Sequence, residues 1–193
     1  MIAKPIAKYF SARGIAISAE SLAADVVRFH PFCPMGGLSV PAMVARLDNS
    51  VTGKFSGVHR TALSDDFSAK RVMPDNRPSR MIMGVAKGSA VQLFPWSKHL
   101  GIAEGIETAL SAHQIFKMPV WAALSAGGIR DFPVIYGVTF LTIFADHDPR
   151  GLDAADKCAR RYAKAGIEVE IRYPLSFGLD WNDYLQTENS HAH

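Results

Sequence analysis

Two aspartates, Asp146 and Asp148, follow an apolar run at residues 141–145, and Gly151 comes three residues later. Alternate residues of a β-strand point to the same side, so the two carboxylates can lie side by side where the strand leaves its sheet. Carboxylate oxygens suit a hard divalent cation, and one or two of them commonly hold Mg²⁺ together with substrate phosphates. The pair therefore predicts a site for Mg²⁺, or for Mn²⁺ in its place.

Further acids stand where they could join this pair. Glu104 ends a second apolar segment, and Asp180 and Asp183 lie in a loop and short helix near the end of the chain. In an open parallel sheet the functional site lies off the carboxyl ends of the strands. Acids brought together there repel one another, and a bound cation stabilises them. We therefore expect one metal centre made by five acids: Glu104, Asp146, Asp148, Asp180 and Asp183.

Some acids have simpler explanations. Asp180, like Asp153, has the residue type and the placement of a helix cap. Glu107 is expected to be a surface residue of a helix. Capping is a weaker explanation for Asp146 and Asp148, because a buried apolar strand rarely ends in two solvated aspartates by chance.

The acids are separated by alternating strand and helix patterns. Apolar residues recur at helical spacing over 106–113, and a second helical pattern starts at Gly151 and stops near Gly166. Apolar runs at 120–124 and 138–145 are typical of central parallel strands, and strict alternation over 167–173 is typical of a half-exposed edge strand. The second half is therefore predicted to be an α/β sandwich with a mostly parallel sheet.

Charge divides the chain into two regions. Residues 1–98 carry 13 Lys and Arg against 6 Asp and Glu, whereas residues 99–193 carry 8 against 12. A basic region attracts polyanions, nucleic acid first among them, although a solvated basic face is the alternative. We predict a smaller basic α+β region at 1–98 that binds nucleic acid, and a catalytic α/β region at 99–193.

Composition excludes several other classes. The 193 residues are 48% hydrophobic, enough to bury a core, but no apolar run reaches the roughly 18 residues that cross a bilayer. The start of the chain lacks the apolar core of a signal peptide, so we expect a cytoplasmic protein without a membrane partner. Two distant cysteines, Cys33 and Cys158, are expected to be packing residues rather than a disulfide. No zinc is expected, because His30 and Cys33 have no second ligand pair.

The ordered acidic motifs resemble a known family. Glu104-Gly105 after a strand, Asp146-x-Asp148 with Gly151, and the late acidic stretch 180–183 are together similar to the Toprim domain of bacterial-type primases, topoisomerases and related nucleases. This resemblance covers roughly residues 100–185. The segments 104–111 and 180–185 most resemble primase-type Toprim proteins of phages, plasmids and integrated elements. With the upstream segments 9–15, 41–46 and 57–61, the resemblance extends over nearly the whole chain.

The resemblance implies Mg²⁺-dependent nucleotidyl transfer, in which a primer is built from nucleoside triphosphates on single-stranded DNA. In this family the glutamate matching Glu104 acts as a general acid or base, and the aspartates matching Asp146 and Asp148 hold the metal. The basic region would hold the template, and a helicase or another replication protein is an expected partner. We predict phosphate contacts from five basic residues: Arg60, Lys70 and Arg71, with Arg46 and Lys87 in support.

The sequence departs from bacterial primases in two ways. Those primases place an aspartate four residues after the glutamate, where this chain has Thr108, and its extra acid is Glu107. One residue along a helix is a rotation of about 100 degrees, so Glu107 is not expected to replace that ligand simply. The chain also contains neither the zinc-binding module of replicative primases nor a helicase phosphate-binding motif.

Three other activities remain open at this point. The same acids serve phosphodiester cleavage in Toprim nucleases. A domain without catalytic activity would act as a nucleic-acid-binding accessory factor in replication. An aspartate-based phosphatase ranks lowest, because those enzymes carry the two aspartates on the first strand of the fold, and here two strands precede them.

Overall fold

A computed structural model describes residues 3–16, 22 and 25–191. Within these ranges the chain forms five α-helices, a short 3₁₀ helix (Pro74–Asn76) and nine strands. The first region contains α1 (Lys4–Ala12), β1 (Val27–Met35), β2 (Leu38–Asn49), β3 (Phe55–Ala62), β4 (Arg80–Gly84) and β5 (Ser89–Ala90). The second contains β6 (His99–Ala103), α2 (Ile106–Phe116), β7 (Val120–Ala122), α3 (Ala126–Arg130), β8 (Phe140–Phe144), α4 (Pro149–Lys164), β9 (Glu168–Arg172) and α5 (Trp181–His191). Met1 and Ile2, the start of the segment considered for a signal peptide, lie outside the described residues.

The first sheet is antiparallel. Its strands lie in the order β1-β2-β3-β4, and the short β5 pairs with the end of β2. Buried and exposed residues alternate along β2 and β3, as in a sheet that packs on one face. With α1 this sheet forms the predicted α+β region.

The second sheet is parallel and confirms the predicted α/β class. Its strands lie in the order β7-β6-β8-β9, and every pairing is parallel. The predicted edge strand at 167–173 is β9, and the predicted central strand at 138–145 is β8. A central position for the run at 120–124 is wrong, because β7 lies at the opposite edge. It is nevertheless fully buried, since Val91 from the first region bridges Ala122 on its outer side.

Two hydrophobic cores flank the parallel sheet. One core joins β6 and β8 to α3 and α4, and Cys158 belongs to it. The other is shared between the two regions, with α1 and the antiparallel sheet contributing to the same cluster as α2 and α5. Cys33 and Cys158 are buried free thiols, as expected of packing residues. No helix within the described ranges combines the length and the apolarity that a membrane span requires.

Candidate active site and nucleic-acid interface

The first two predicted acids meet at the carboxyl edge of the parallel sheet. Strands β6 and β8 are neighbours, and their last residues, Ala103 and Phe144, lie in register. Glu104 follows β6 directly and Asp146 follows β8 after one further residue, so both side chains leave the sheet at the same edge. Both are half-buried. Residues 42 apart in sequence thus become neighbours because parallel strands end together.

A close approach of helix α4 fixes the position of the second aspartate. Asp148 is the N-cap of α4, and its Oδ1 accepts a hydrogen bond from the amide of Gly151 at 2.7 Å. Gly151 itself lies against the backbone of Asp146, where an added Cβ would come within 2.5 Å of the Asp146 carbonyl oxygen. Only glycine allows this contact. The glycine three residues after the aspartate pair therefore has a structural role in placing both of them.

Asp180 and Asp183 form a reciprocal cap at the start of α5. The Oδ1 of Asp180 accepts hydrogen bonds from the amides of Asn182 and Asp183, at 2.7 and 2.9 Å. Oδ2 of Asp183 accepts one from the Asp180 amide at 3.2 Å, as in a capping box. The capping explanation is thus confirmed for Asp180, whereas Asp153 lies within α4 and pairs with Lys157. Thr108 also faces this group, because its hydroxyl lies 3.5 Å from Oδ2 of Asp180.

The five acids are electrostatically coupled. Burial, followed by the charges of Glu104, Asp180, Asp148 and Asp183, raises the pKa of Asp146 to about 7. Burial also raises the pKa of Glu104 and that of Asp180. A cluster of this kind binds protons near neutral pH and favours any cation that replaces them.

The cluster fits a divalent cation held by few protein ligands. Within the described ranges, no three His, Cys, Asp or Glu side chains are positioned as a ready-made metal site. Mg²⁺, however, is usually held through one or two carboxylates, with water and phosphate oxygens completing its shell. Oδ1 of Asp146 is buried without a hydrogen-bond partner, and the helix cap uses only Oδ1 of Asp148. Ligation by all five acids stays a prediction, and these two aspartates are the best candidates.

Two arginines close to the acids were not among the predicted phosphate contacts. The charges of Arg150 and Arg80 both lower the pKa of Glu104 against the larger effect of burial. Arg150 lies in the first turn of α4, and Arg80 begins β4 opposite Thr61, on the side of the antiparallel sheet that also carries the buried His59. Neither forms an ion pair within the described residues. The sequence could have indicated only Arg150, because it lies two residues after Asp148.

Glu107 is not a surface residue, so that expectation is wrong. Its side chain is 7% exposed and accepts hydrogen bonds from the Tyr9 hydroxyl at 2.5 Å and from the Lys70 ammonium at 3.0 Å. Burial alone would raise the pKa of Glu107, but Lys70 and Tyr9 outweigh it and the pKa lies below its usual range. Glu107 therefore joins the two regions through Tyr9 and Lys70, while Thr108 lies next to Asp180.

The structure does not bring the five predicted phosphate contacts to one surface. Arg46 and Arg60 share the side of the antiparallel sheet that faces away from the core shared with α2, where Arg46 pairs with Asp48 at 2.9 Å and Arg60 donates to the Pro34 carbonyl at 2.6 Å. Lys70 lies on the other side, against Glu107. The roles of these residues in binding nucleic acid stay predictions.

The remaining two candidates lie elsewhere. Arg71 pairs with the exposed Asp65 at 2.5 Å. Lys87 is exposed and lines a cleft of about 310 Å³ together with Ser125, Gly127 and Gly128 at the start of α3. Lys87 is thus more accessible to a polyanion than Lys70 or Arg71.

The buried His59, between the two regions, makes the folding stability depend on pH. It is buried on β3, and its Nδ1 has no hydrogen-bond partner. Burial lowers the pKa of His59 to about 4; Glu107 opposes this shift, whereas Arg80 and Lys70 add to it. At this position the unfolded chain therefore binds more protons between about pH 4 and pH 6.5, so the contribution of His59 costs no stability above this window and lowers stability as the pH falls through it.

We expect His59→Gln to lose less stability than the wild type when the pH is lowered from 7 to 5. The measurement is the urea midpoint of both proteins at pH 7 and pH 5, with His30→Gln on the exposed part of β1 as the matched control. The midpoint difference between the two pH values should shrink for His59→Gln and not for His30→Gln. Equal pH dependence in all three proteins would refute the assignment.

Comparisons with known proteins agree with this geometry. Residues 99–191 match the model of the Toprim domain, and residues 2–93 match a domain of unknown function, DUF7146. A comparison with curated protein sequences gave no significant match. The second region, with its acids at the edge of a parallel sheet, is a Toprim domain, which confirms the family resemblance of its motifs.

Solved structures extend the similarity over both regions. A DnaG catalytic core superimposes with a TM-score of 0.63 at 14% identity, covering 99% of this chain and 72% of that one. A DnaG primase catalytic domain bound to single-stranded DNA gives 0.62 at 15%, covering 99% and 73%. The primase fragment of the bacteriophage T7 primase-helicase gives 0.58 at 14%, covering 95% and 66%. The chain shares the fold of these primase catalytic cores, with its Toprim domain at residues 99–191, and it spans about two thirds to three quarters of their length.

Proposed function

We propose that this protein is a primase-type nucleotidyltransferase that joins nucleoside triphosphates on a single-stranded DNA template in a Mg²⁺-dependent reaction. The observation that carries the proposal is the coupled acid cluster at the carboxyl edge of the Toprim sheet, with Arg80 and Arg150 beside it. Acids alone repel a triphosphate. Acids that hold a cation, flanked by unpaired arginines, can bind one.

Each group has a chemical role in this proposal. Asp146 and Asp148 would hold the divalent cation, which supplies charge stabilisation at phosphoryl oxygens when bound. Glu104, whose pKa burial raises, can accept and release a proton closer to neutral pH than an exposed glutamate. Arg80 and Arg150 would orient phosphate oxygens through charge-assisted hydrogen bonds. Asp180 and Asp183 would order the start of α5, and their charges would strengthen the attraction of Asp146 for a cation.

The fold supports primer synthesis over the other activities of Toprim proteins. Primase cores match along 95 to 99% of this chain, so the likeness includes the antiparallel region as well as the Toprim domain. We propose that residues 1–98 hold the template and residues 99–193 carry the chemistry. A helicase is the proposed partner, since the T7 relative is a primase-helicase, and replication of a phage or mobile element is the proposed setting.

Primer synthesis can be assayed directly. The protein is incubated with single-stranded DNA and labelled nucleoside triphosphates, with Mg²⁺, with Mn²⁺ or with a chelator. We expect labelled oligonucleotides that require the cation and that disappear in Glu104→Gln. Shortened template instead of new product would identify a nuclease. Unchanged substrates in all conditions, with DNA binding retained, would identify an accessory factor.

A further inference from the structure

Three large apolar side chains are exposed in the loop between β9 and α5. The exposed fractions are 46% for Tyr173, 91% for Leu175 and 69% for Phe177. Side chains of this size are normally buried, and a group of them at the surface marks a contact site for a ligand or a partner. Nothing in the proposed chemistry so far uses them.

This loop is attached to the residue between the two site aspartates. The amide of His147 donates to the Leu179 carbonyl at 3.0 Å, and the amide of Gly178 donates to the His147 carbonyl at 2.8 Å. The His147 ring lies 4.7 Å from the Tyr173 ring and 5.5 Å from the Phe177 ring, between centroids. The three rings therefore form one aromatic cluster, in which the Tyr173 and Phe177 rings are inclined by 44° and 70° to the His147 ring, and which begins at the residue that separates Asp146 from Asp148.

The position and the chemistry of these rings select a nucleobase as the ligand. Bases stack on the faces of exposed aromatic side chains, and such stacking tolerates any base because every base has a π-face. A nucleotide also carries phosphates, which the neighbouring acid cluster and its cation would bind. An apolar protein segment would make no favourable interaction with the acids next to the rings. Continuity of the ring surface with the acid cluster therefore favours a nucleotide.

We propose that Tyr173 and Phe177, supported by His147, form a stacking surface for a nucleobase whose phosphate lies at the acid cluster. The proposal rests on the proposed function and names a binding subsite within it. The base can belong to an incoming nucleoside triphosphate or to a DNA strand, and binding measurements separate the two sources.

Equilibrium binding to the full chain tests the subsite. Wild type and the double variant Tyr173→Ala with Phe177→Ala are titrated with four probes: a nucleoside triphosphate, inorganic triphosphate, a single-stranded oligonucleotide, and an abasic strand of equal length. Either the nucleoside triphosphate or the oligonucleotide supplies the stacked base. We expect the double variant to bind that probe about tenfold more weakly than wild type does. Its affinity for inorganic triphosphate and for the abasic strand should not change.

Two control variants separate stacking from other effects. Tyr136→Ala removes a tyrosine that is 96% exposed and precedes the amino end of β8, whereas the acids follow the carboxyl ends of the strands, and this variant should bind every probe like wild type. Tyr173→Phe with Phe177→Tyr keeps both rings and should restore base-dependent affinity. Because the substituted side chains are exposed, thermal unfolding should be nearly unchanged in all variants.

Each outcome tests the stacking subsite independently of catalysis. A base-specific loss with the nucleoside triphosphate assigns the subsite to the incoming nucleotide, and a loss with the oligonucleotide assigns it to a strand. Equal affinity of the double variant and wild type for all base-containing probes overturns the subsite, even if the protein makes primers. A base-specific loss in a protein that makes no primers supports the subsite and contradicts the proposed reaction.

Discussion

Asp146→Asn is expected to lower primer synthesis by on the order of 100-fold or more, because it removes the charge of a central acid while keeping its shape. The charges of the other four acids all raise the pKa of Asp146, and its Oδ1 is buried without a hydrogen-bond partner. The measurement is the rate of labelled product formation at saturating Mg²⁺. Asp153→Asn is the matched control, since Asp153 is an exposed aspartate of α4 paired only with Lys157.

The same variant should not destabilise the metal-free protein. Burial and neighbouring acids raise the pKa of Asp146 from 3.8 to about 7, so the folded state binds the proton more tightly than the unfolded chain. The contribution of Asp146 therefore lowers the stability of the wild type as the pH rises from about 4 to about 7, and asparagine avoids this loss. We expect the unfolding temperature of Asp146→Asn at pH 8 to equal or exceed that of wild type. An active Asp146→Asn protein, or one inactive only because it unfolds, would contradict the assignment.

Glu107→Leu is expected to lower the free energy of unfolding by about 3 kcal/mol or more, because it leaves two partly or fully buried polar groups without their common acceptor. Those groups are the Tyr9 hydroxyl and the Lys70 ammonium, which reach Glu107 from the other region of the chain. Urea unfolding with a shared slope gives the difference directly.

Two further variants show whether the pairing itself is responsible. Glu107→Gln keeps an acceptor for Tyr9 but not the charge, so its cost should be smaller. Lys70→Met combined with Glu107→Gln should cost less than the sum of the single variants, since the two side chains interact directly. Asp153→Ala, which breaks an exposed pair in α4, should cost less than about 1 kcal/mol. A Glu107→Leu cost no larger than that of Asp153→Ala would show that the buried pair does not join the regions.

Local patterns were sufficient to predict the parallel sheet of the second region and the place of its first acids. The apolar strand before Asp146, the glycine at Gly151 and the alternation of β9 each reflect a constraint acting within a few residues. Parallel topology then places Glu104 beside Asp146, because adjacent parallel strands end at the same edge. These steps need no knowledge of distant contacts.

Long-range pairing was not predictable in the same way. Tyr9 and Glu107 are 98 residues apart, and nothing near Glu107 shows that its helix position turns inward. Arg80 reaches the neighbourhood of Glu104 because the antiparallel sheet shares a core with α2, whereas Arg46 and Arg60 fall on the opposite face by strand alternation. A count of charges predicts that a region is basic, but the fold decides which of its charges face the site.

The most direct measurement of the central claim is whether the template dictates the product. The protein is given homopolymeric single-stranded DNA of each base in turn, with all four nucleoside triphosphates and Mg²⁺, and the composition of any new oligonucleotide is determined. The proposed function predicts that only the complementary nucleotide is incorporated on each template, and that Asp146→Asn forms no product. Products of the same composition on every template, or cleavage of the DNA without synthesis, would contradict it.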